Sequence, residues 1–310
     1  MKTCFIDAAV FIDKPELLEP LKEIGQVEVF EGIPASVDEV VQRAGDAEII
    51  AFGLMQFTNE MLDRLPALKV LQFIGTGVSN FVDMDYAKSK GIEVLNIEGY
   101  GSNAVAEFAV AMGMTLAKKI PMANGIVKRT GWTTEGLVGK EIKGSTVGVI
   151  GTGSIGAMVA EKYVQLGAKV IGCDIFENPH LKEKYGIPYK KMDEVFKEAD
   201  ILTLHMKVTK ENERSIGEQL LSLMKEDALF INVARAELVD TDALYDALVS
   251  GKLGGAAIDV YDSEPPSEKD YKLAQLDNVV ATPHIAYYTQ EASDNSIKMS
   301  VSSILASVKA

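Results

Sequence analysis

The stretch TVGVIGTGSIG constrains the fold of this chain more than any other. An apolar run leads into Gly151, Gly153 and Gly156, which have G-x-G-x-x-G spacing, and a helix-like segment follows. In such a context the first glycine permits a tight turn, the second lets the backbone approach a pyrophosphate, and the third allows close packing of helix on strand. The amides of Ser154 and Ile155, at the start of the helix, would attract the anion. The stretch predicts a dinucleotide site in a parallel α/β sheet.

A second strand-like run, AKVIGCD, ends at Asp174, 18 residues beyond Gly156. A carboxylate at this point can accept hydrogen bonds from the adenosine ribose hydroxyls and would repel a 2′-phosphate, so NAD is favoured over NADP. Three glycines alone could mark an ordinary turn between a strand and a helix. The two strands, the helix and the terminal acid together favour the dinucleotide.

The composition argues against several other classes of function. The formal net charge of −14 would repel nucleic-acid backbones and anionic lipid surfaces. No apolar run reaches the roughly 20 residues of a bilayer span, and the N-terminus lacks the pattern of a secretion signal. Two cysteines, Cys4 and Cys173, and three scattered histidines predict neither a disulfide framework nor a metal site. We therefore expect a cytoplasmic protein that binds neither nucleic acid nor membranes nor metal.

Alternating apolar runs and helix-like segments divide the chain in two. One alternation occupies the first hundred residues and another runs from Thr146 to Pro283. We predict two doubly wound α/β domains with parallel sheets, one flavodoxin-like and one Rossmann-like, with a cleft between them. The predicted substrate domain is discontinuous, residues 1–99 with 286–310, because the last helix is too short to fold alone. The predicted NAD-binding domain is residues 100–285.

Three later apolar runs each end near a polar residue that could carry chemistry, namely Arg235, Glu264 and His284. Ligands of open α/β sheets bind at the carboxyl ends of strands. Each residue alone has a structural explanation, as a surface ion pair, the start of a turn or a strand-end cap. Their shared position at strand ends, beside a nucleotide motif, favours catalytic roles.

The motifs VGVIGTGSIG, INVARAELVDTDAL, GGAAIDVYDSEPP and ATPHIAYYT resemble those of the D-isomer-specific 2-hydroxyacid dehydrogenase family. IGTGVSNFVD and GYGSNAVAEFA match earlier motifs of that family in the same order, so the resemblance spans roughly residues 60–295. It implies an enzyme that reversibly reduces a 2-oxoacid to a D-2-hydroxyacid with NADH. The segment HIAYYT is more similar to the lactate and hydroxyisocaproate branch than to the phosphoglycerate branch.

The resemblance implies that His284 donates the proton, Glu264 partners it and Arg235 anchors the substrate carboxylate. The chemistry of the three side chains agrees with these roles. An imidazolium can protonate a developing oxyanion, and a nearby carboxylate favours the charged form of the imidazole. A guanidinium can donate two parallel hydrogen bonds to a carboxylate. The resemblance also implies a nicotinamide pocket, although His205 could equally be a buried structural residue. Its members would be His205, Met206, Val233, Ala234 and Asp259.

The glycine-rich loop after an earlier apolar run suits a bend whose amides cradle an anion, and the resemblance places the substrate carboxylate there. An ordinary turn is the alternative. The candidates are Gly75, Thr76, Gly77 and Val78. Leu54, Met55 and Phe57, with Tyr100, indicate an apolar wall where phosphoglycerate-type members carry an Arg-Ser pair. We therefore expect a small or branched aliphatic 2-oxoacid.

Two departures from the family pattern are Lys207, where proline is usual, and Ala236, where glycine is usual. A noncatalytic NAD-sensing protein remains an alternative, against which the presence of all three catalytic candidates counts. A formate or phosphite dehydrogenase is another, although formate-type members usually carry glutamine at the position of Glu264. The apolar helix predicted over residues 102–120 indicates a homodimer, and its alternative is burial within one chain.

Overall fold

The computed structural model describes residues 1–309, in which strands and helices alternate throughout. The strands are β1 (Lys2–Phe5), β2 (Gln26–Val29), β3 (Ile49–Phe52), β4 (Val70–Phe73), β5 (Glu93–Leu95), β6 (Thr146–Ile150), β7 (Lys169–Cys173), β8 (Ile201–Leu204), β9 (Ala228–Asn232), β10 (Leu253–Ile258) and β11 (Val279–Ala281). The α-helices are α1 (Val37–Ala44), α2 (Asn59–Asp63), α3 (Met84–Ser89), α4 (Ser102–Ala117), α5 (Ile120–Lys128), α6 (Ser154–Gln165), α7 (Pro179–Tyr185), α8 (Met192–Glu198), α9 (Glu218–Leu221), α10 (Thr241–Val249), α11 (Glu268–Ala274) and α12 (Gln290–Lys309). Short 3-10 helices cover Ala9–Phe11, Pro15–Glu23, Val78–Asn80 and Ala236–Leu238.

The chain divides into two compact units, the first made of Met1–Gly101 with Tyr288–Ala310 and the second of Ser102–Tyr287. The first unit has a parallel sheet of order β2-β1-β3-β4-β5, the order of flavodoxin-like sheets. The second has a parallel sheet of order β11-β10-β9-β8-β6-β7. Each order reverses once, between β1 and β3 or between β6 and β8, which confirms the predicted pair of doubly wound sheets.

Pro121 begins a helix, whereas the sequence predicted that a long helix ends just before it. The predicted helix over 102–120 ends at Ala117, and α5 begins at Ile120 after Lys119 adopts a left-handed φ of 52°. The backbone N–H of Lys140 donates to the carbonyl of Ala117 at 2.8 Å and so caps the end of α4. Pro121 fits the first turn of α5, where a missing N–H costs nothing.

Helix α4 is largely apolar because most of its residues are buried within the second unit, and its exposed stripe consists of Asn103, Glu107, Ala111 and Met114. It packs against α6, β9 and β10. A Cβ atom at Gly113 would lie 2.2 Å from Tyr163 Oη and 2.8 Å from Ile231 Cδ1, so the helix approaches closely only with a glycine here. Tyr163 is fully buried, its hydroxyl has no hydrogen-bond partner, and burial raises its pKa.

In the first unit, α12 returns to pack on the 3-10 helix Pro15–Glu23 and on β4. Lys14 and Asp294 form an ion pair at this contact. Both cysteines are free thiols, Cys4 buried and Cys173 half-buried. Within residues 1–309, no cluster of histidine, cysteine and acidic side chains is suited to a metal ion, and no helix has the length and apolarity to span a bilayer.

We expect Tyr163→Phe to stabilise the protein by about 1 kcal/mol, because it removes a buried hydroxyl that lacks a partner. Gly113→Ala should destabilise the wild-type protein by roughly 1–3 kcal/mol through overpacking, and by less in the Tyr163→Phe background, where the nearest clashing atom is gone. Urea unfolding of the two single variants and the double variant measures both effects. Equal costs of Gly113→Ala in the two backgrounds would contradict this packing.

Candidate active site

The glycine loop between β6 and α6 leaves open space at the start of a helix. Gly151 has a φ of 87°, and a Cβ atom there would lie 2.6 Å from the backbone nitrogen of Met206. A Cβ atom at Gly156 would lie 1.9 Å from the carbonyl oxygen of Gly151, so helix and strand approach closely at this point. Gly153 has no atom within 4 Å of its Cβ position, and α6 begins at Ser154 without a side-chain cap. This cradle of amides fits the pyrophosphate of a dinucleotide.

Asp174 directly follows β7, and hydrogen bonds from Thr152 orient its carboxylate. Its Oδ2 accepts hydrogen bonds from Thr152 N at 2.5 Å and Thr152 Oγ1 at 3.2 Å. Ile175 and Phe176 follow and are 89% and 80% exposed. These two residues were not among those predicted from the sequence. Two large apolar side chains directly after a strand-end acid are nevertheless a signal in the sequence, because solvent-exposed apolar groups often mark a ligand surface.

His284 and Glu264 meet, as a catalytic pair requires. His284 Nδ1 lies 2.7 Å from Glu264 Oε2 and 2.9 Å from Oε1, and both side chains are partly exposed. A carboxylate at Nδ1 favours the tautomer with a proton on that nitrogen. Within residues 1–309 the opposite nitrogen, Nε2, makes no hydrogen bond, so it is the atom available to a ligand. The Tyr287 ring stands edge-on to the imidazole, 6.1 Å away.

A buried carboxylate holds the loop that carries His284. Asp259 Oδ1 accepts hydrogen bonds from Thr282 Oγ1 at 2.6 Å and Ile285 N at 2.9 Å, and its Oδ2 accepts one from Ala286 N at 2.8 Å. His284 itself adopts a left-handed φ of 54°, which a residue with a side chain rarely does. The bonds on both sides of His284 stabilise that conformation. The predicted contact between Asp259 and the nicotinamide stays a prediction.

Tyr261 ties the same loop from a second direction. Its hydroxyl donates to the carbonyl of Thr282 at 2.8 Å. Burial and nearby carboxylates raise the pKa of Tyr261 to about 12, so the hydroxyl keeps the proton that it donates. The sequence offered no signal for this contact, because 21 residues separate the two partners.

The loop that carries Glu264 is held by Asp270, which the sequence analysis also missed. Asp270 is buried, and its carboxylate accepts hydrogen bonds from Asp262 N at 3.2 Å, Ser267 N at 2.9 Å and Ser267 Oγ at 2.7 Å. Burial works against the charged form, yet the bonds from Ser267 and the loop amides hold the pKa of Asp270 below its usual value. The spacing of Ser267 and Asp270 is that of a capping box, so the sequence did contain a local signal.

Arg235 follows β9, Glu264 follows β10 and His284 follows β11. These three strands are neighbours in the sheet, in the order β9, β10, β11. All three residues therefore lie beyond the carboxyl ends of three adjacent parallel strands. The buried Asn232 donates to the carbonyl of Arg235 at 2.9 Å and accepts from Ala234 N at 3.0 Å, which fixes the turn. The backbone at Ala236 is not left-handed, so the glycine usual in the family is not needed.

The remaining nicotinamide candidates lie at the ends of β8 and β9. Val233 is buried and Ala234 is half-buried after β9, and Met206 is half-buried after β8. Burial lowers the pKa of His205 to about 3, and Thr203 Oγ1 lies 2.8 Å from its Nε2, so this imidazole is neutral at ordinary pH.

Lys207 is exposed, and its backbone loop is closed without the usual proline. The side-chain amide of Asn212 donates to the carbonyl of Lys207 at 2.8 Å and accepts from Thr209 N at 2.7 Å. These two bonds hold the turn that proline would otherwise restrict. The sequence left the shape of this loop in doubt, and the structure shows a closed turn.

In the first unit, the candidate substrate loop follows β4. Gly77 has a φ of 86° and open space around its Cβ position, and Thr76 Oγ1 donates to the carbonyl of Ile97 at 3.2 Å. Gly75 packs against the Phe73 ring, Val78 is buried, and Tyr100 is half-buried. Of the expected apolar wall, Leu54 is exposed, whereas Met55 and Phe57 are buried, and Phe57 packs edge-on against Phe52 in the core.

Residues 110–286 match a family model described as D-isomer specific 2-hydroxyacid dehydrogenase, NAD binding domain. The aromatic 2-oxoacid reductase of Clostridium sporogenes is 42% identical over 247 residues, which are 76% of this chain and 74% of that protein. The D-lactate dehydrogenase of Lactiplantibacillus plantarum is 35% identical over 261 residues, 80% of this chain and 78% of that protein. A solved D-lactate dehydrogenase from Aquifex aeolicus, complexed with NAD and lactic acid, has a TM-score of 0.82 at 34% identity, and the match covers all of this chain and 96% of that one.

We expect His205→Gln to reduce the loss of stability on acidification. The folded imidazole resists protonation until about pH 3, whereas the unfolded one takes a proton near pH 6.5. Stability due to neutral His205 is therefore complete above about pH 6.5 and is lost as pH falls towards 3. Between pH 7.5 and 5.0 the variant should lose roughly 1–2 kcal/mol less than wild type in urea unfolding. His180→Gln, which changes an exposed imidazole, is the control, and identical pH slopes for wild type and His205→Gln would contradict the assignment.

Proposed function

The chain belongs to the D-isomer-specific 2-hydroxyacid dehydrogenase family and is an NAD-dependent oxidoreductase, and we propose that it reduces a small or branched aliphatic 2-oxoacid to the D-2-hydroxyacid, reversibly. The observation that carries this proposal is the contact of 2.7 Å between His284 Nδ1 and Glu264 Oε2 beyond the carboxyl end of β11. Among relatives, one is a D-lactate dehydrogenase and another an aromatic 2-oxoacid reductase, and the substrates in both names are 2-oxoacids or 2-hydroxyacids with uncharged side chains.

His284 is the proposed general acid and base. Glu264 stabilises the imidazolium through Nδ1, so that Nε2 can donate a proton to the oxygen of a carbonyl as negative charge develops there. In the reverse direction the neutral imidazole accepts that proton from the hydroxyl. Asp259 and Asp270 contribute by holding the two loops, so the pair is already arranged before substrate binds.

Arg235 is the proposed anchor for the substrate carboxylate. Arg235 is exposed, and its Nη1 donates to the carbonyl of Ala234 at 2.7 Å. Its guanidinium is a planar fork of donors, which would match two carboxylate oxygens and also reach a developing oxyanion. In a protein of net charge −14, a local cation of this kind is needed to bind an anionic substrate. The amides of Thr76, Gly77 and Val78 are the proposed further donors from the first unit.

The cofactor residues are proposed on the geometry of the second unit. The pyrophosphate would lie in the cradle formed by Gly151, Gly153, Ser154, Ile155 and Gly156. The other proposed cofactor residues lie at the adenosine end and at the nicotinamide end. When bound, NADH supplies the hydride for the carbonyl carbon. The adenosine end would meet Asp174, Ile175 and Phe176, and the nicotinamide end would meet His205, Met206, Val233, Ala234 and Asp259.

The alternatives from the sequence have less support. Relatives that match most of the chain are named reductases and dehydrogenases, which counts against a noncatalytic NAD sensor. Oxidation of formate or phosphite needs no acid for a carbonyl oxygen, whereas the chain holds a carboxylate firmly against its imidazole. The 2-oxoacid reaction gives Arg235, Glu264 and His284 each a role.

The test is NADH oxidation with a panel of pyruvate, 4-methyl-2-oxopentanoate and phenylpyruvate, with formate and phosphite assayed in the presence of NAD. We expect turnover with the 2-oxoacids and none with formate or phosphite. His284→Ala should lower kcat by about 10²–10⁴-fold through loss of the acid. Arg235→Ala should lower kcat/KM by about 10²–10³-fold through loss of the charged donor, while both variants keep NADH binding by fluorescence.

Matched variants separate the roles from general damage. Arg235→Lys keeps the charge but loses the fork, so its activity should lie between those of wild type and Arg235→Ala. His180→Ala removes an exposed histidine that is also paired with a glutamate, Glu161, and should leave turnover unchanged. Unimpaired turnover in His284→Ala would overturn the mechanism.

We further propose that the enzyme is a homodimer whose contact surface includes residues 120–138, which begin at the end of the helix that the sequence indicated. Helix α4 buries most of its residues within its own unit and exposes a narrow stripe that includes Met114, whereas α5 has no buried residue. Residues 120–138 expose large apolar side chains, which monomers rarely gather in one segment. These are Ile120, Val127, Trp132 and Val138, with Trp132 93% exposed.

Light scattering after size exclusion should give about twice the chain mass of 33.6 kDa. The double variant Trp132→Asp with Val138→Asp should elute as a monomer, because burial of a charge at an apolar contact is costly. Val249→Asp, which changes an exposed apolar residue on α10, serves as the control and should remain dimeric. A wild-type mass of one chain would refute the dimer.

A further inference from the structure

Asn178, Tyr189 and Thr152 form a chain of hydrogen bonds that ends at the carboxylate of Asp174. The backbone N–H of Asn178 lies 3.0 Å from the Tyr189 hydroxyl, and that hydroxyl lies 2.8 Å from Thr152 Oγ1. Thr152 Oγ1 in turn lies 3.2 Å from Asp174 Oδ2. All four residues belong to the second unit. The chain therefore connects the start of α7 with the acid that follows β7.

The chemistry of the two ends fixes the direction of this chain. A backbone N–H can only donate, and a carboxylate can only accept. The two hydroxyls between them must therefore each accept one bond and donate one, so Tyr189 donates to Thr152 and Thr152 donates to Asp174. The amide of Thr152 also donates to Asp174 Oδ2 at 2.5 Å, and the amide of Phe176 donates to Oδ1 at 3.2 Å. Because the Tyr189 proton occupies the Thr152 oxygen, the Thr152 proton stays directed at the carboxylate.

Tyr189 is itself held against the edge of the sheet. Gly172, in the edge strand β7, donates its N–H to the carbonyl of Pro188 at 2.9 Å and accepts from Lys190 N at 2.9 Å. A Cβ atom at Gly172 would lie 3.1 Å from Tyr189 Cε1 and 3.2 Å from Cζ, so the ring packs closely on the backbone of the strand. The backbone pairing and the ring contact together place the hydroxyl beside Thr152.

Asn178 ties the same network to the glycine loop. Its Nδ2 donates to the carbonyl of Thr152 at 3.1 Å, and its Oδ1 accepts from His180 N at 3.1 Å at the start of α7. Thr152 is 3% exposed, so water has little access to its side chain. Water therefore cannot readily replace the bond that the Tyr189 hydroxyl makes to Thr152.

We propose that Tyr189 is a positioning residue for the choice of coenzyme: through the Thr152 hydroxyl it fixes the Asp174 carboxylate in the orientation that binds the adenosine ribose hydroxyls and excludes a 2′-phosphate. A carboxylate that is already ordered does not lose rotational freedom when NADH binds. It also cannot turn away from a phosphate, so NADPH meets the full repulsion. This inference rests on the place proposed above for the adenosine end at Asp174, and it does not depend on the identity of the 2-oxoacid.

The first experiment measures the Kd of NADH and of NADPH by nicotinamide fluorescence, without a substrate. Wild type should bind NADH more tightly than NADPH. Tyr189→Phe keeps the ring and removes only the hydroxyl, so it should raise the Kd of NADH about threefold to tenfold, the effect of one hydrogen bond. The Kd of NADPH should stay the same or fall, so the preference for NADH decreases. Tyr185→Phe changes another half-buried tyrosine of the second unit and should leave the preference unchanged.

A double-variant cycle tests whether Tyr189 acts through Thr152. Thr152→Val removes the intermediate hydroxyl and should weaken the preference for NADH at least as much as Tyr189→Phe does. In the Thr152→Val background, Tyr189→Phe should change the ratio of the two constants by less than about twofold, because the group through which it acts is gone. Thr152→Ser keeps the hydroxyl and should retain most of the wild-type preference.

The readout distinguishes positioning from a purely structural role. If Tyr189 only stabilised the fold, Tyr189→Phe would lower the thermal midpoint and weaken both coenzymes alike, and the ratio of their Kd values would not move. An unchanged ratio in folded Tyr189→Phe, an equal fall in Tyr185→Phe, or an undiminished effect of Tyr189→Phe in the Thr152→Val background would overturn the inference.

The outcomes also separate this inference from the proposed function. Wild-type protein that binds NADH but turns over no 2-oxoacid would refute the proposed reaction and leave the role of Tyr189 standing. Wild-type protein that binds NADPH more tightly than NADH would overturn the role of Tyr189, whatever its activity on 2-oxoacids.

Discussion

The hydrogen bonds to the buried carboxylate of Asp259 are the interactions on which the proposed chemistry depends most. It receives three hydrogen bonds from residues on both sides of His284 and thereby maintains a left-handed backbone that costs free energy at a residue with a side chain. That backbone directs the imidazole towards Glu264. Without the bonds, the loop would relax to an ordinary conformation, and the pair would meet only part of the time. The buried carboxylate beyond β10 thus stabilises a strained backbone at the residue proposed to transfer the proton.

Much of the fold was readable from the sequence because local patterns and sheet topology agree. The alternation of apolar runs predicted parallel sheets, and the glycine motif with its terminal acid predicted NAD, which the family match confirms. The end of α4 was not readable. It depends on a hydrogen bond from Lys140 to Ala117, between residues far apart in the chain, and Pro121 misled because proline both ends and begins helices.

The candidates for catalysis could be proposed from the sequence, whereas most of the contacts that hold their loops could not. Arg235, Glu264 and His284 follow strands, and this shared position beside a nucleotide motif, rather than residue type alone, suggests chemistry. Asp7 and Asp259 act on backbone amides 46 and 27 residues away, respectively. No residue type marks a backbone amide as a partner, so sequence gives such a carboxylate the same meaning as any surface acid. Two of the 45 acidic residues behind the net charge of −14 are therefore internal acceptors at strand ends.

The two sheets differ in what lies at their switch points. At the switch point between β6 and β8, Gly153 and the uncapped start of α6 leave amides facing open space, which suits the phosphates of a dinucleotide. At the switch point between β1 and β3, comparable amides already bind Asp7. An anion that entered the second position would have to displace a buried carboxylate with three hydrogen bonds, at a cost of several kcal/mol. The fold thus leaves the start of α6, beyond β6, without an internal acceptor, whereas the carboxylate of Asp7 satisfies the loop amides beyond β3.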